Sequence, residues 1–138
     1  MFACEPAAAA PLARAVRQGL PAAHVPVAPT DAYSVVSPVS GYRGVVAVRD
    51  SGGQVLALDD ERLSAARSEL ARAGLWAELS GAAGLAGLRA VEDRGEPVVC
   101  VSTSSGFKDR SVASRSTGNI TPEWEEVRRR LRTAGIRE

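Results

Sequence analysis

The residues best suited to meet a ligand lie between Val98 and Asp109, reading VVCVSTSSGFKD. An apolar, valine-rich stretch ends there, and three hydroxyls (Thr103, Ser104 and Ser105) follow with a glycine. In open α/β sheets, ligands gather beyond the carboxyl ends of strands, which is where these hydroxyls fall. Serine, threonine and glycine also serve to satisfy turn backbone, so a ligand role and a turn role are both open. A second candidate is Glu78–Leu88, ELSGAAGLAGL. The free N–H groups of a helix start can hold an anion. Ser80 can equally cap that helix, and the small residues let it pack closely against a neighbour.

Other patterns carry less chemistry. Ser51-Gly52-Gly53 follows a helical pattern, and no helix starts directly after it, so it is a C-terminal cap and turn rather than a phosphate loop. Val127–Arg132 holds four arginines. Glu123, Glu125 and Glu126 precede them by a turn, and this acid-first, base-last order suits a solvated helix and its dipole. His24 is the single histidine and has no partner at a readable spacing, so a triad has no support. No cluster of His, Cys or acidic residues has metal-ligand spacing, and no catalytic residue or metal ligand is assigned to this chain. Of the 17 basic residues, Lys108 is the one lysine.

At 138 residues the chain has room for one domain. An apolar fraction of 45% and a charged fraction of 24% are those of a folded globular protein. A net charge of +1 provides no broad field to draw nucleic acid or anionic lipid. No stretch is long and apolar enough to span a bilayer. The start, Met-Phe-Ala-Cys-Glu-Pro, has neither the basic flank nor the apolar run of a signal peptide, so the expected compartment is the cytoplasm. Cys4 and Cys100 each lie in an apolar run that reads as a buried strand, which suggests two inert core thiols.

Elements that must position these residues follow from periodicity. Phe2–Cys4 reads as the end of a strand. Ala8–Gln18 reads as a helix with Leu12, Ala15 and Val16 on one face and Gly19 as its stop. Pro21–Pro29 is loop. Val39–Asp50 returns to helical spacing, and Gln54–Leu58 is a short apolar strand. Asp59 caps a helix carrying Leu63, Ala66 and Leu70, closed by Gly74. Leu75–Glu78 suits a short strand, and Ser80 a cap for a helix through Ala90. Pro97–Val101 reads as a strand from the middle of a parallel sheet. Arg110–Thr117 is polar and irregular, and Thr121-Pro122-Glu123 opens a terminal helix. Strands alternating with helices predict an α/β domain: a partial, mostly parallel sheet flanked by helices.

Taken in order, GYRGVVAVRDSGGQVLALDDERLSAARSELARAGLWAELSGAAGLAGLRAV and then VVCVSTSSGFKD resemble the second half of threonine synthases. They are more distantly similar to threonine ammonia-lyases and other fold-type II pyridoxal-phosphate (PLP) enzymes. The similarity runs from about Phe2 to Asp109. It implies that residues 1–120 are the C-terminal half of a PLP-dependent catalytic domain and 121–138 a terminal helix. It also implies PLP as cofactor in the completed enzyme, with Thr103 hydrogen-bonded to the pyridine nitrogen. Glu78 and Ser80–Ala83 would form the wall near the ring, with Ser104 in the same loop. Gly106, Lys108 and Asp109 match the loop's closing residues, with a structural role. Ser104 stands where the family has glycine, Ser105 where it has His or Asn, and Leu79 where it has Pro.

The family's Schiff-base lysine, substrate-carboxylate loop and phosphate cradle have no counterpart in these residues. Lys108 lies only five positions beyond Thr103, on the nitrogen side of the ring and away from the aldehyde. The resemblance therefore implies a C-terminal portion or split subunit acting on an activated hydroxy-amino acid such as O-phosphohomoserine, with its partner an N-terminal-half chain or a second copy. The isolated chain is not expected to be catalytic. Two alternatives are a threonine/serine ammonia-lyase-like enzyme and a non-catalytic half that binds a partner or ligand. A parallel sheet cut in half leaves an uncovered edge and apolar face, which predicts self-association or a tight partner.

Overall fold

A computed structural model describes residues 1–92, 95, 97–109, 123–133 and 135. In chain order the elements are β1 (Phe2–Pro6), α1 (Pro11–Gln18), α2 (Tyr42–Asp50), β2 (Gln54–Leu58), α3 (Asp60–Arg72), α4 (Ala83–Ala90) and α5 (Trp124–Thr133), with 3-10 turns at Ser80–Ala82 and Gly106–Lys108. β1 and β2 pair in parallel, from Phe2 opposite Gln54 to Pro6 opposite Leu58. Parallel neighbours need a long crossover, which α1 and α2 supply.

Successive strand residues point to opposite faces, and β1 puts a helix layer on each. Cys4 faces Gly87 of α4, where an added Cβ would overlap its sulfur. Its neighbour Glu5 points the other way. The Glu5 carboxylate accepts the Leu12 N–H at 3.2 Å and the Ala13 N–H at 2.9 Å, satisfying the start of α1. The helix thus begins at Pro11 rather than Ala8, because Pro pre-sets the first helical φ and Glu5 does the capping that Ala10 has no side chain to do. α1 and α2 pack around Ala15, Ala23 and Val45.

On the other face, Leu58, Leu63, Ala66, Leu79, Ala82 and Ala86 form the larger core, which Cys4 and Leu56 adjoin. Asp59 caps α3 as expected, accepting the Arg62 N–H at 2.8 Å. Arg89 of α4 and Glu69 of α3 form an ion pair across the two helices, and this holds the Glu69 carboxyl below its ordinary range. Thr30 and Asp31 bond the Asp60 carboxylate at 2.6 and 2.8 Å, pinning the loop that carries Tyr33 and Ser34 onto the start of α3.

Several expectations are corrected. α2 starts at Tyr42, because Val39 forms an antiparallel bridge with His24 and Ser40 accepts the Ala23 N–H. Leu75–Glu78 is not a strand but holds a single antiparallel bridge, Ala77 to Ser105. Pro97–Val101 joins no ladder: Val99 is 86% and Val101 72% exposed. A strand needs a neighbour, and β1 does not pair with this segment. Cys100 is consequently exposed rather than a core thiol, while Cys4 is half-buried, and both are free. Arg110–Thr117 and the cap residues Thr121 and Pro122 lie outside the described residues. No described helix is long and apolar enough to cross a membrane.

Candidate functional site

The hydroxyl loop is held against the segment before α4 by two backbone bonds. The Glu78 N–H donates to the Ser104 carbonyl at 3.2 Å and the Gly106 N–H to the Trp76 carbonyl at 2.9 Å. Asp109 closes the loop. Its buried carboxylate accepts the Leu79 N–H at 3.2–3.3 Å and the Arg67 guanidinium of α3 at 2.8 Å. Ser80 does not cap this turn: it is the turn's first residue, and the Ala82 and Ala83 N–H groups that a cap would serve donate to the Leu79 and Ser80 carbonyls.

Ser80 works elsewhere. The Ser34 hydroxyl lies 3.0 Å from Glu78 Oε1 and 2.8 Å from Ser80 Oγ. One hydroxyl proton serves one acceptor, and a carboxylate can only accept. Ser34 thus donates to Glu78 and accepts from Ser80. Glu78 is 3% exposed, and its other oxygen, Oε2, has no hydrogen bond. Its nearest charge is Lys108 Nζ at 3.7 Å, an ion pair beyond hydrogen-bond reach. Lys108 donates instead to Ser104 Oγ at 3.1 Å. Lys108 thus links Ser104 and Glu78, and the Tyr33 hydroxyl donates to its carbonyl at 2.7 Å.

Thr103 sits directly over the start of the α4 region. A Cβ on Gly81 would overlap the Thr103 carbonyl, and one on Gly84 would come within 2.8 Å of the Val101 carbonyl. The small residues of ELSGAAGLAGL thus bring the loop backbone onto the helix. Ser104 takes φ +60°, a left-handed conformation natural for glycine. The Thr103 side chain is exposed and bonded to no described residue.

The four predicted residues stand together: Glu78, Ser80 and Ser104 through the Ser34–Lys108 network, and Thr103 beside Ser104. Ser34, Tyr33 and Arg67 belong to the arrangement without any motif to announce them. The Trp76 indole packs where a side chain on Gly106 would stand. Glu78 Oε2 and the Thr103 hydroxyl both lack a hydrogen bond. A buried acceptor and an exposed hydroxyl, both unbonded, are groups that a polar cofactor can engage. Among the described residues, no group of three or more His, Cys, Asp or Glu is arranged to hold a metal ion.

The family model for pyridoxal-phosphate dependent enzymes matches residues 1–104, and the chain belongs to that family. Within it the chain is threonine synthase-like. It is 35% identical over 108 residues to the threonine synthase of Methanosarcina acetivorans, covering 72% of this chain and 27% of that protein. It is 36% identical over 128 residues to the threonine synthase of Mycobacterium tuberculosis, covering 88% and 34%. The crystal structure of a threonine deaminase from T.th. superimposes with a TM-score of 0.57 at 25% identity, over 64% of this chain and 32% of that one. The chain spans about a third of the length of the curated relatives it matches.

Proposed function

We propose that this chain is the C-terminal portion, or a split subunit, of a threonine synthase-like PLP enzyme, and that it supplies the pyridine-ring side of the cofactor site. The observation that carries the reading is an exposed, unbonded Thr103 hydroxyl in a loop whose Ser104 carbonyl accepts the N–H of the buried Glu78, in a chain of this family. Bound PLP would supply the electron sink for β,γ-elimination and hydration of an activated hydroxy-amino acid such as O-phosphohomoserine. Thr103 would offer its hydroxyl to the ring nitrogen. A neutral partner does not hold that nitrogen protonated as a carboxylate would, which tempers the sink. Glu78 and Ser80, locked by Ser34, would form a rigid polar wall, and Lys108 would fix Ser104 against it. The reactive lysine and phosphate cradle would come from outside these 138 residues, through a chain carrying the N-terminal half or through self-association. Residues 1–120 would then form part of the catalytic domain and 121–138 its terminal helix. The cytoplasm suits its two free thiols.

The test is PLP titration followed by borohydride reduction and mass spectrometry, which fixes cofactor on any lysine it has joined. The isolated chain is expected to retain no pyridoxyl group on Lys108, and Thr103→Ala to weaken non-covalent PLP binding. Stoichiometric modification of Lys108, abolished by Lys108→Ala, overturns the reading. The likeness to threonine deaminase favours a second reading, ammonia-lyase-like chemistry on the same half-site.

A further inference from the structure

We infer that the groove between β1 and residues 97–101 is a vacant strand position, and that its occupant is one apolar β-strand from the part of the PLP-enzyme fold that this chain does not contain. The inference rests on family membership alone and not on the proposed cofactor contacts.

The groove holds about 500 Å³ and is lined by Met1, Phe2 and Cys4 on one side and Pro97–Val101 on the other, with Ala83, Gly84, Gly87 and Leu88 of α4 beneath. Both walls rest on one face of α4. Cys4 seats on Gly87, Val101 approaches the Cβ position of Gly84, and the Cys100 thiol lies 3.5 Å from the Gly84 carbonyl. Glycines three residues apart share a helix face, so β1 and residues 97–101 belong to one layer.

Each wall presents unpaired backbone. In β1, the Met1 carbonyl accepts from Gln54 and the Ala7 N–H donates to Leu58. Odd-numbered residues therefore face β2, and the backbone groups of Phe2 and Cys4 turn outward to the groove. Opposite them, the backbone of residues 98–101 bonds no described backbone group. Backbone donors and acceptors left without partners are costly unless solvated or paired. Two such edges on one helix, separated by an apolar groove, are what a parallel sheet leaves when one strand is withdrawn. The valines at 98, 99 and 101 suit a strand covered on both sides, although Val99 and Val101 are largely bare here. The relatives, about three times as long, contain further chain to fill this position.

The two cysteines report on the groove. Iodoacetamide alkylation of Cys100 in the full chain is followed by mass spectrometry, with a soluble pentavaline peptide flanked by lysines as the probe. An N-methylated version that cannot donate ladder hydrogen bonds serves as control. At ~10 times its Kd the strand peptide is expected to slow Cys100 alkylation about tenfold, and the control to have no effect. Cys4→Pro removes an outward N–H without touching the β2 ladder and is expected to abolish protection while circular dichroism stays unchanged. Absence of protection, or equal protection by the N-methylated peptide, overturns the inference. So does protection that rises with chain concentration alone, which makes a second copy the occupant. Failure of PLP binding leaves the peptide result standing, and failure of the peptide leaves the PLP reading standing.

Discussion

The Thr103 carbonyl occupies the space that a β-carbon on Gly81 would fill. Gly81 is therefore a packing requirement of the hydroxyl loop, and its small size sets how closely Thr103 approaches the start of α4. Carbonyl and helix are both backbone, so neither can swing aside as a side chain would. Gly81→Ala is expected to destabilise the chain by roughly 1–3 kcal/mol, the usual cost of overpacking, and to displace Thr103. Thermal denaturation measures the first effect and PLP binding the second. A variant that melts like the wild type would show that the contact is absent.

Asp109 does two jobs that substitution can separate. It accepts the Leu79 N–H and pairs with Arg67, which is only partly buried. Asp109→Ala leaves a buried N–H and a guanidinium without a partner and is expected to cost about 2–3 kcal/mol. Asp109→Asn keeps an acceptor for Leu79 and loses only the charge, with an expected cost of about 1 kcal/mol. Chemical denaturation of both variants checks the order. Equal losses would mean that the ion pair alone holds the loop.

Ser104 carries a strained backbone and a useful hydroxyl at the same position. A left-handed φ costs a residue with a β-carbon roughly 1 kcal/mol, while the Lys108 bond to Ser104 Oγ offsets part of that. Ser104→Ala keeps the strain and loses the bond, so it is expected to lower stability. Ser104→Gly loses the bond and relieves the strain, so it is expected to lie above Ser104→Ala by about 1 kcal/mol. Melting temperatures of the pair decide it. If the glycine variant is the less stable, residue 104 is not held left-handed.

What could be read from the sequence divides along the distance over which each feature is determined. β2, the Asp59 cap and the body of α3 follow from neighbours within a few residues: an apolar run bounded by Gly52-Gly53, a carboxylate three positions from the N–H it accepts, and apolar residues at helical spacing. The parallel α/β class followed from the alternation of such elements. The errors arose where the deciding partner is distant. Ser80 has a capping residue's chemistry, but its hydroxyl is held by Ser34, 46 positions earlier. Residues 97–101 have a strand's composition but no adjacent strand to pair with. Ser34 lies in a loop without periodicity and joins Glu78 across 44 positions, so no local pattern marks it. Thr103, Ser104, Glu78 and Ser80 are singled out only through the resemblance. Their type and spacing alone left turn and cap roles open.

Glu5 makes a part of stability pH-dependent. Burial, the larger influence, raises its carboxyl above the ordinary range, and the bonds from Ala13 and Leu12 pull it partway back. The folded chain thus binds the Glu5 proton more tightly than the unfolded chain. By linkage, the contribution is fully present below the unfolded pKa and is lost as pH rises through the higher folded one. The window therefore lies at and just above the ordinary carboxylate range. Glu5→Gln keeps an acceptor oxygen for one of the two N–H groups at the start of α1 and cannot ionise. Relative to the wild type, it is expected to gain stability as pH rises through that window. At lower pH, where wild-type Glu5 is itself neutral, the difference between the two should settle to a constant. Thermal denaturation of both proteins from acid to neutral pH measures the difference. A difference that shrinks as pH rises would mean that the backbone bonds outweigh burial and that the Glu5 shift runs in the opposite direction.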